Sequence, residues 1–421
     1  MRSGHQRRFT DERPAYRDDR RREQPRWDEG YAPPLTEEEK RALWLPIAAK
    51  IIGKCSRDLP ADAALREAFR ESEGITRTES RAISQAVFAY FRWLGWLHHD
   101  WSIQHQISQA QELEEKFRTQ PNAFSATDLR RAIPEWIQEQ LSVTPGWLRA
   151  LQQPPTLWLR SRKTSNNSLQ QRSFDAKPGP LPQSISYSGS LDLFRLPEFQ
   201  AGEFEVQDLS SQAVSLICAP KSGETWWDVC AGEGGKTLHL AELMGNKGLI
   251  WATDKAEWRL RRLKMRAKRA QCFNYRSRVW DGSAKLPFGT KMDGILVDAP
   301  CSGVGTWQRN PHARWTTTEL DVRELAALQG KILNHAVAAL KPGGRLIYSV
   351  CTLTRGETTE VAAAFSTAHP ELKPLPVINP LKPKMPPAET LWISPAETSS
   401  NGMFIAVWER TGGAESPAIA P

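Results

Sequence analysis

Between about residue 204 and residue 410 the sequence repeats one unit: a short apolar run of strand length, a loop, and a stretch of helical periodicity. The apolar runs are Thr225–Val229, Leu249–Thr253, a third ending near Trp280, Gly294–Val297 and Arg345–Val350. Lys236–Met244, Glu257–Ala270 and Leu320–Leu340 read as the helices between them, and Leu391–Ser394 and Met403–Trp408 as two final strands. Strands that alternate with helices cannot pair as hairpins. They form a doubly wound parallel α/β sheet with both faces covered. Such a sheet binds its ligands beyond the carboxyl ends of its strands, so residues at those ends are the first to read for chemistry.

The preceding residues read differently. Residues 36–150 are poor in Gly and Pro, and Ile83, Val87, Tyr90, Phe91, Leu94 and Leu97 recur at helical spacing. Thr36 before Glu37, Glu38 and Glu39 is a helix-start signal. A helical bundle is expected, with Trp93, Trp96 and Trp101 in its core and His98 and His99 in surface or packing roles rather than as metal ligands. Pro154 and Pro155 mark a boundary. Residues 155–203 then alternate β-type runs (Thr156–Arg160, Ser184–Ser188, Leu191–Phe194) with polar turns, which suggests a small α+β segment. Residues 1–30 hold nine Arg, seven acidic residues and no Leu, Ile or Val. Residues 1–35 and 411–421 are therefore expected to be disordered tails.

Composition narrows the function. The 421 residues are 40% hydrophobic and 25% charged, with a net charge of +8, which makes a polyanionic partner plausible. No apolar run is long enough to span a membrane, and the polar, Arg-rich start does not resemble a secretory signal. The six cysteines form no CxxC pair and no zinc-ligand spacing, so free thiols in a reducing cytoplasm and no metal are expected.

Three motifs fall at strand ends. Asp228-Val229-Cys230-Ala231-Gly232-Glu233-Gly234-Gly235-Lys236 follows a strand and opens a helix. Its glycines permit close approach of a cofactor, and the helix start offers free amides. Asp254 closes the next strand, where a carboxylate can accept both ribose hydroxyls of a nucleoside. Asp281, after the third strand, fits a position that would bond an adenine amino group. Asp298-Ala299-Pro300-Cys301-Ser302-Gly303 ends the fourth strand and Tyr348-Ser349-Val350-Cys351-Thr352 the fifth. Fourth and fifth strands are neighbours in such a sheet, so two thiols and a carboxylate converge at one rim beside the cofactor loop. One such cysteine is usually a small packing residue; two at adjacent ligand-binding ends are a far more specific signal.

These motifs resemble those of the RsmB/Nop/Sun family of S-adenosylmethionine-dependent RNA cytosine-5 methyltransferases. The matching stretches are VQDLSSQAV (206–214), DVCAGEGGKT (228–237), Asp254, DAPCSGVGTWQRNP (298–311), LKPGGRLIYSVCT (340–352) and NGMFIAVWE (401–409). The resemblance implies a Rossmann-like class I methyltransferase domain over 204–410. Residues 36–150 are similar to the NusB-like RNA-binding domain of several members, and 155–203 would be an RRM-like segment. By the same resemblance Cys351 is the nucleophile that adds to carbon 6 of cytosine, Cys301 assists elimination, Asp298 bonds or protonates the base, and Lys236 lies near it. The cofactor would be held by Cys230, Ala231, Gly232, Glu233, Gly234, Gly235, Lys236, Asp254, Arg259, Asp281 and Asp298. Two departures stand out: CAGEGGK where the family commonly has CAAPGGK, and Arg355-Gly356-Glu357-Thr358-Thr359 where it commonly has a segment like PEENE.

Between Lys255 and Arg278 there are ten Lys or Arg and one acidic residue, Glu257, a density that suggests phosphate contact. The chain is therefore expected to methylate RNA as a cytoplasmic monomer, ribosomal RNA being favoured and transfer RNA second. The competing reading is a catalytically silent RNA-binding ribosome assembly factor. A DNA cytosine-5 methyltransferase is disfavoured, since its pattern carries one catalytic cysteine after the fourth strand.

Overall fold

The computed structural model describes residues 36–72, 74–162 and 175–411. The expected tails lie outside these residues apart from Thr411, whose amide donates to the Glu371 carbonyl at 2.9 Å. The chain divides into a short unit, residues 1–43, and a large one, residues 44–421. In the short unit the Thr36 hydroxyl accepts from the Glu39 amide at 3.2 Å and the Glu39 carboxylate accepts from the Thr36 amide at 2.8 Å. This capping box starts α1 (Glu37–Lys54).

The large unit begins with helices. α2 (Ala61–Glu71), α3 (Arg77–Trp93) and α4 (Ile103–Thr119) follow one another through loops of five to nine residues, and single helical turns at Ala126–Leu129 and Ile137–Gln140 lead from α4 to α5 (Pro145–Leu151). Ile83, Val87 and Phe91 of α3 recur every four residues on its buried face. Trp93 is fully buried, with ring centroids 5.0 Å from Trp96 and 5.3 Å from Phe124. Trp101 does not join this core. It lies half exposed beyond the end of α3, over the His98 ring at 4.5 Å, because the chain has left the helix by Leu97. The core of the bundle also takes in Val304 and Trp307 from the loop after the fourth strand, so bundle and catalytic region share packing.

A four-stranded antiparallel sheet follows, from β1 (Leu157–Ser161), β2 (Ala176–Pro178), β3 (Ser184–Tyr187) and β4 (Phe204–Val206), in the order β2-β3-β1-β4. Its edge strand comes from residues read above as the start of the alternating region, since Glu205 pairs with Arg160 across the ladder. Leu191–Phe194 is not a strand. The Asp192 carboxylate accepts from the Phe194 amide at 3.2 Å and turns the chain into a short 3₁₀ helix.

The large sheet runs β7-β6-β5-β8-β9-β12-β10, with β11 also on β12. Its strands are β5 (Thr225–Asp228), β6 (Leu249–Asp254), β7 (Tyr275–Val279), β8 (Met292–Asp298), β9 (Leu340–Val350), β10 (Leu372–Pro374), β11 (Thr390–Ile393) and β12 (Met403–Arg410). The first five are parallel, as expected. The last three are not: β12 is antiparallel to β9, β10 and β11. Only a single helical turn and short loops separate β11 from β12, too little chain for a crossover, so the sheet is mixed. The longer helices packed around the sheet are α6 (Leu209–Cys218), α7 (Gly235–Leu243), α8 (Glu257–Arg269), α9 (Glu319–Ala336) and α10 (Thr359–Ala368); the sequence pattern gave no sign of α6, α10, β2 or β10. Separate apolar clusters pack on the two faces of the large sheet. The order of the parallel strands reverses between β5 and β8, which places the ligand crevice over Asp228, Asp254, Asp298 and the end of β9.

Candidate active site

β8 and β9 pair in parallel with Asp298 opposite Ser349, so the two loops that follow them leave the sheet side by side. Cys301 and Cys351 thereby meet with their sulfurs 3.3 Å apart, both partly buried. Asp298 stands between two donors: Lys236 Nζ donates to Oδ2 at 2.6 Å and Ser349 Oγ to Oδ1 at 2.8 Å. The four residues expected to do chemistry are thus drawn to one rim from β8, β9 and the first turn of α7.

The electrostatics are uneven across this rim. Burial works against the Lys236 ammonium, but the charge and hydrogen bond of Asp298 outweigh it and hold its pKa above the ordinary lysine value. The Cys301 thiol is pushed well up, first by its hydrogen bond with Cys351 and then by burial. Asp228, buried at the end of β5, is pushed up to about 7, chiefly by burial. Its Oδ2 accepts from the Thr237 hydroxyl at 2.6 Å, while Oδ1 is buried with no partner among the described residues.

The loop after β5 forms an open cradle. Gly234 adopts a left-handed φ of +86°, and a Cβ there would strike Leu263 at 2.7 Å, so the turn into α7 requires glycine. A Cβ built on Gly232 or Gly235 would meet nothing within 4 Å, so the backbone there faces free space. Asp254 borders it: Oδ2 accepts from the Gly232 amide at 3.0 Å and Oδ1 from the Ala256 amide at 2.8 Å, which leaves each oxygen a further lone pair. Arg259 lies 3.8 Å from Asp254. Glu233, the residue that departs from the family's proline, forms an ion pair with Arg262 at 2.6 Å. Asp281 is exposed and accepts from the Ser283 amide at 3.0 Å. Cys230 and Ala231 lie in the first turn of the loop, where the Ala231 amide donates to Thr253 of β6 at 2.8 Å. Open backbone beside a bonded carboxylate at the strand ends fits a nucleoside cofactor.

Sequence reasoning missed the residues that brace the two cysteines. The Gly305 amide donates to the Cys351 carbonyl at 3.0 Å, and a Cβ on Gly305 would sit 2.5 Å from the Gly402 carbonyl oxygen, so only glycine allows this approach. Glu357, in the segment that departs from PEENE, is fully buried and bonded to the Cys301 loop. A family motif in the same place was the one available signal, and it read as a departure because its neighbours differ.

The basic run is less free than its charge suggested. Acidic residues from elsewhere in the chain meet it: Asp254 meets Arg259, Glu233 meets Arg262, and Glu205 of β4 meets both Arg266 and Arg269, while Glu257 pairs with Arg261 within the helix. Counting charges along one segment could not see these partners. Lys255, Lys264 and Lys268 remain exposed on α8 and the loop before it. Among the described residues no group of three or more His, Cys, Asp or Glu could hold a metal ion, and no helix is long and apolar enough to cross a membrane.

The family model described as 16S rRNA methyltransferase RsmB/F matches residues 215–409. A Salmonella typhi protein named "Ribosomal RNA small subunit methyltransferase B" is 31% identical over 329 residues, 74% of this chain and 71% of that one. A Synechocystis protein named "Probable ribosomal RNA small subunit methyltransferase B" is 34% identical over 302 residues, 65% of this chain and 66% of that one. The crystal structure of PH0851 superposes with a TM-score of 0.71 at 25% identity, over 88% of this chain and 99% of that one.

Proposed function

Because the chain belongs to the RsmB/F family of S-adenosylmethionine-dependent RNA methyltransferases, we propose that it methylates carbon 5 of a cytosine in ribosomal RNA through a covalent adduct on Cys351. The observation that carries this reading is the 3.3 Å approach of Cys301 to Cys351 beside the Lys236–Asp298 pair. Methylation of a ring nitrogen or amino group needs no nucleophilic thiol, and methylation of carbon 5 has work for two.

Carbon 5 of cytosine is a weak nucleophile. The Cys351 thiolate adds to carbon 6, and the ring electrons shift to make carbon 5 enamine-like. The Lys236 ammonium relieves the negative charge that builds on the ring, while the Asp298 carboxylate accepts from the exocyclic amino group. Both are pre-oriented by their mutual bond and by Ser349. Bound S-adenosylmethionine supplies an electrophilic methyl group; Asp254 and the amides of Gly232–Gly235 would hold it, with Arg259 and Asp281 at the margins. Once carbon 5 carries the methyl, its proton must leave. Cys301 takes that proton, the carbon–hydrogen electrons form the 5,6 double bond, and the carbon–sulfur bond breaks with its electrons returning to Cys351. Once Cys351 is bonded to carbon 6 it no longer holds the Cys301 thiol in a free thiol pair; Cys301 gives its proton to solvent and is then the thiolate that takes the carbon-5 proton.

Labelled methyl transfer from S-adenosylmethionine to unmodified 16S ribosomal RNA tests the reading, with bisulfite sequencing to locate the product. Cys351→Ala should lose both methyl transfer and adduct, and Cys301→Ala should accumulate a covalent protein–RNA species. RNA binding by the wild type without methyl transfer would instead support the silent assembly factor.

A further inference from the structure

Glu357 stands six residues beyond Cys351 with no solvent exposure, and its hydrogen-bond partners are all neutral. Oε1 accepts from the Ser302 amide at 2.8 Å and from Gln329 Nε2 at 3.0 Å. Oε2 accepts from the Thr354 hydroxyl at 2.8 Å and from the Ser302 hydroxyl. Gln329 Nε2 also donates to the Pro300 carbonyl at 2.9 Å, and the Ser302 hydroxyl lies 2.9 Å from that of Thr352. Both chain neighbours of Cys301 are therefore tied to one buried carboxylate, directly through Ser302 and by way of Gln329 for Pro300. The same carboxylate holds Thr354, three residues past Cys351.

The two cysteines depend on this carboxylate unequally. Cys351 ends a central strand whose Val350 pairs with Phe404 of β12, and its carbonyl is bonded by Gly305. Cys301 has left β8 and sits in a loop that Glu357 and Gln329 tie down on either side of it. A buried carboxylate without a cationic partner is costly to keep, and four hydrogen bonds converging on it are what offset that cost.

We propose that Glu357 is the positioning residue of the elimination step: it holds Cys301 against Cys351 so that Cys301 can reach the carbon-5 proton. This rests on the covalent mechanism above and assigns Glu357 no contact with substrate or cofactor. Position, not charge, is its contribution. A glutamine can keep every contact, its oxygen accepting from the Ser302 amide and Gln329 while its amide donates to the two hydroxyls, which can reverse. An aspartate keeps the charge but is one methylene too short to reach.

The test follows methylated covalent adduct and released methyl-RNA in single-turnover reactions with labelled S-adenosylmethionine and unmodified 16S ribosomal RNA. Adduct formation should stay near the wild-type rate in E357A and E357D, while release slows by up to about a hundredfold, the scale expected when a reacting group is displaced by about an ångström. E357Q should release at a rate close to wild type. Should E357A fail to fold, the E357D and E357Q pair carries the same comparison. Release that is slow in E357Q and normal in E357D would assign the effect to charge and overturn the proposal. So would formation and release slowed alike in folded E357D, which would mean a general structural role. Adduct in Cys301→Ala with none in E357A or E357D overturns the role of Glu357 alone. Absence of adduct in Cys301→Ala as well, with no methyl transfer by the wild type, overturns the covalent reading and this role with it.

Discussion

The sulfurs of Cys301 and Cys351 lie 3.3 Å apart although fifty residues separate them in the chain, and the hydrogen bond between them is the largest cause of the raised Cys301 pKa. At neutral pH Cys301 is therefore protonated and a poor nucleophile. Iodoacetamide should modify it more slowly than a free thiol of pKa ~8.5 at pH 8, and modification should quicken in Cys351→Ala, which removes that hydrogen bond. Peptide mapping of both proteins checks this; equal rates in the two would contradict the coupling.

Trp307 of the motif loop inserts into the helical bundle, with ring centroids 6.3 Å from both Trp136 and Trp147. It is fully buried. Trp307→Ala should cost about 3–5 kcal/mol in denaturant unfolding, the range for a buried tryptophan. It should also lower methyl transfer, because the Cys301 loop leads into this residue. A loss of stability with unaltered turnover would separate the bundle from the site.

Lys264 and Lys268 are exposed on α8, while Arg266 and Arg269 are held by Glu205. If α8 touches the RNA, the double variant Lys264→Ala, Lys268→Ala should weaken RNA binding and reduce the salt slope by about 0.7 for each single-strand phosphate left without its lysine. Arg269→Ala should instead lower stability, with little change in the slope. Filter binding across a salt series reads both; an unchanged slope in the double variant would remove α8 from the RNA interface.

Asp228 has a folded pKa of about 7, above the carboxylate range of the unfolded chain. Between those values the folded state binds more protons than the unfolded one, so this group lowers stability as pH rises towards 7, with no further loss above it. Asp228→Asn removes that titration and keeps an oxygen to accept from Thr237. Melting curves should show the variant gaining on the wild type from pH 5 to pH 7 and holding a constant margin above. Parallel curves across the range would place the Asp228 pKa elsewhere.

Some of this was readable without coordinates. The alternation of strands and helices dictated a doubly wound sheet, because periodicity is local and burial on two faces leaves few other solutions. The placing of Asp228, Asp254, Asp298, Cys301 and Cys351 at strand ends followed from it, since each ends or closely follows an apolar run. What depended on contacts between distant segments was not readable. The antiparallel β12, the edge strand β4, the exposed Trp101 and the neutralising acids around α8 all hinge on which residue meets which across the fold.

Residue types and strand ends are properties of short segments, so the chain's own letters dictate which chemical groups this protein owns and on which rim of a sheet they gather. Folding adds the rest: Lys236 and Ser349 share Asp298, the Cys301 sulfur meets that of Cys351, and Glu357 ties down the loop that carries Cys301. Those are matters of a few tenths of an ångström and of burial, and both are set by packing between segments tens to hundreds of residues apart.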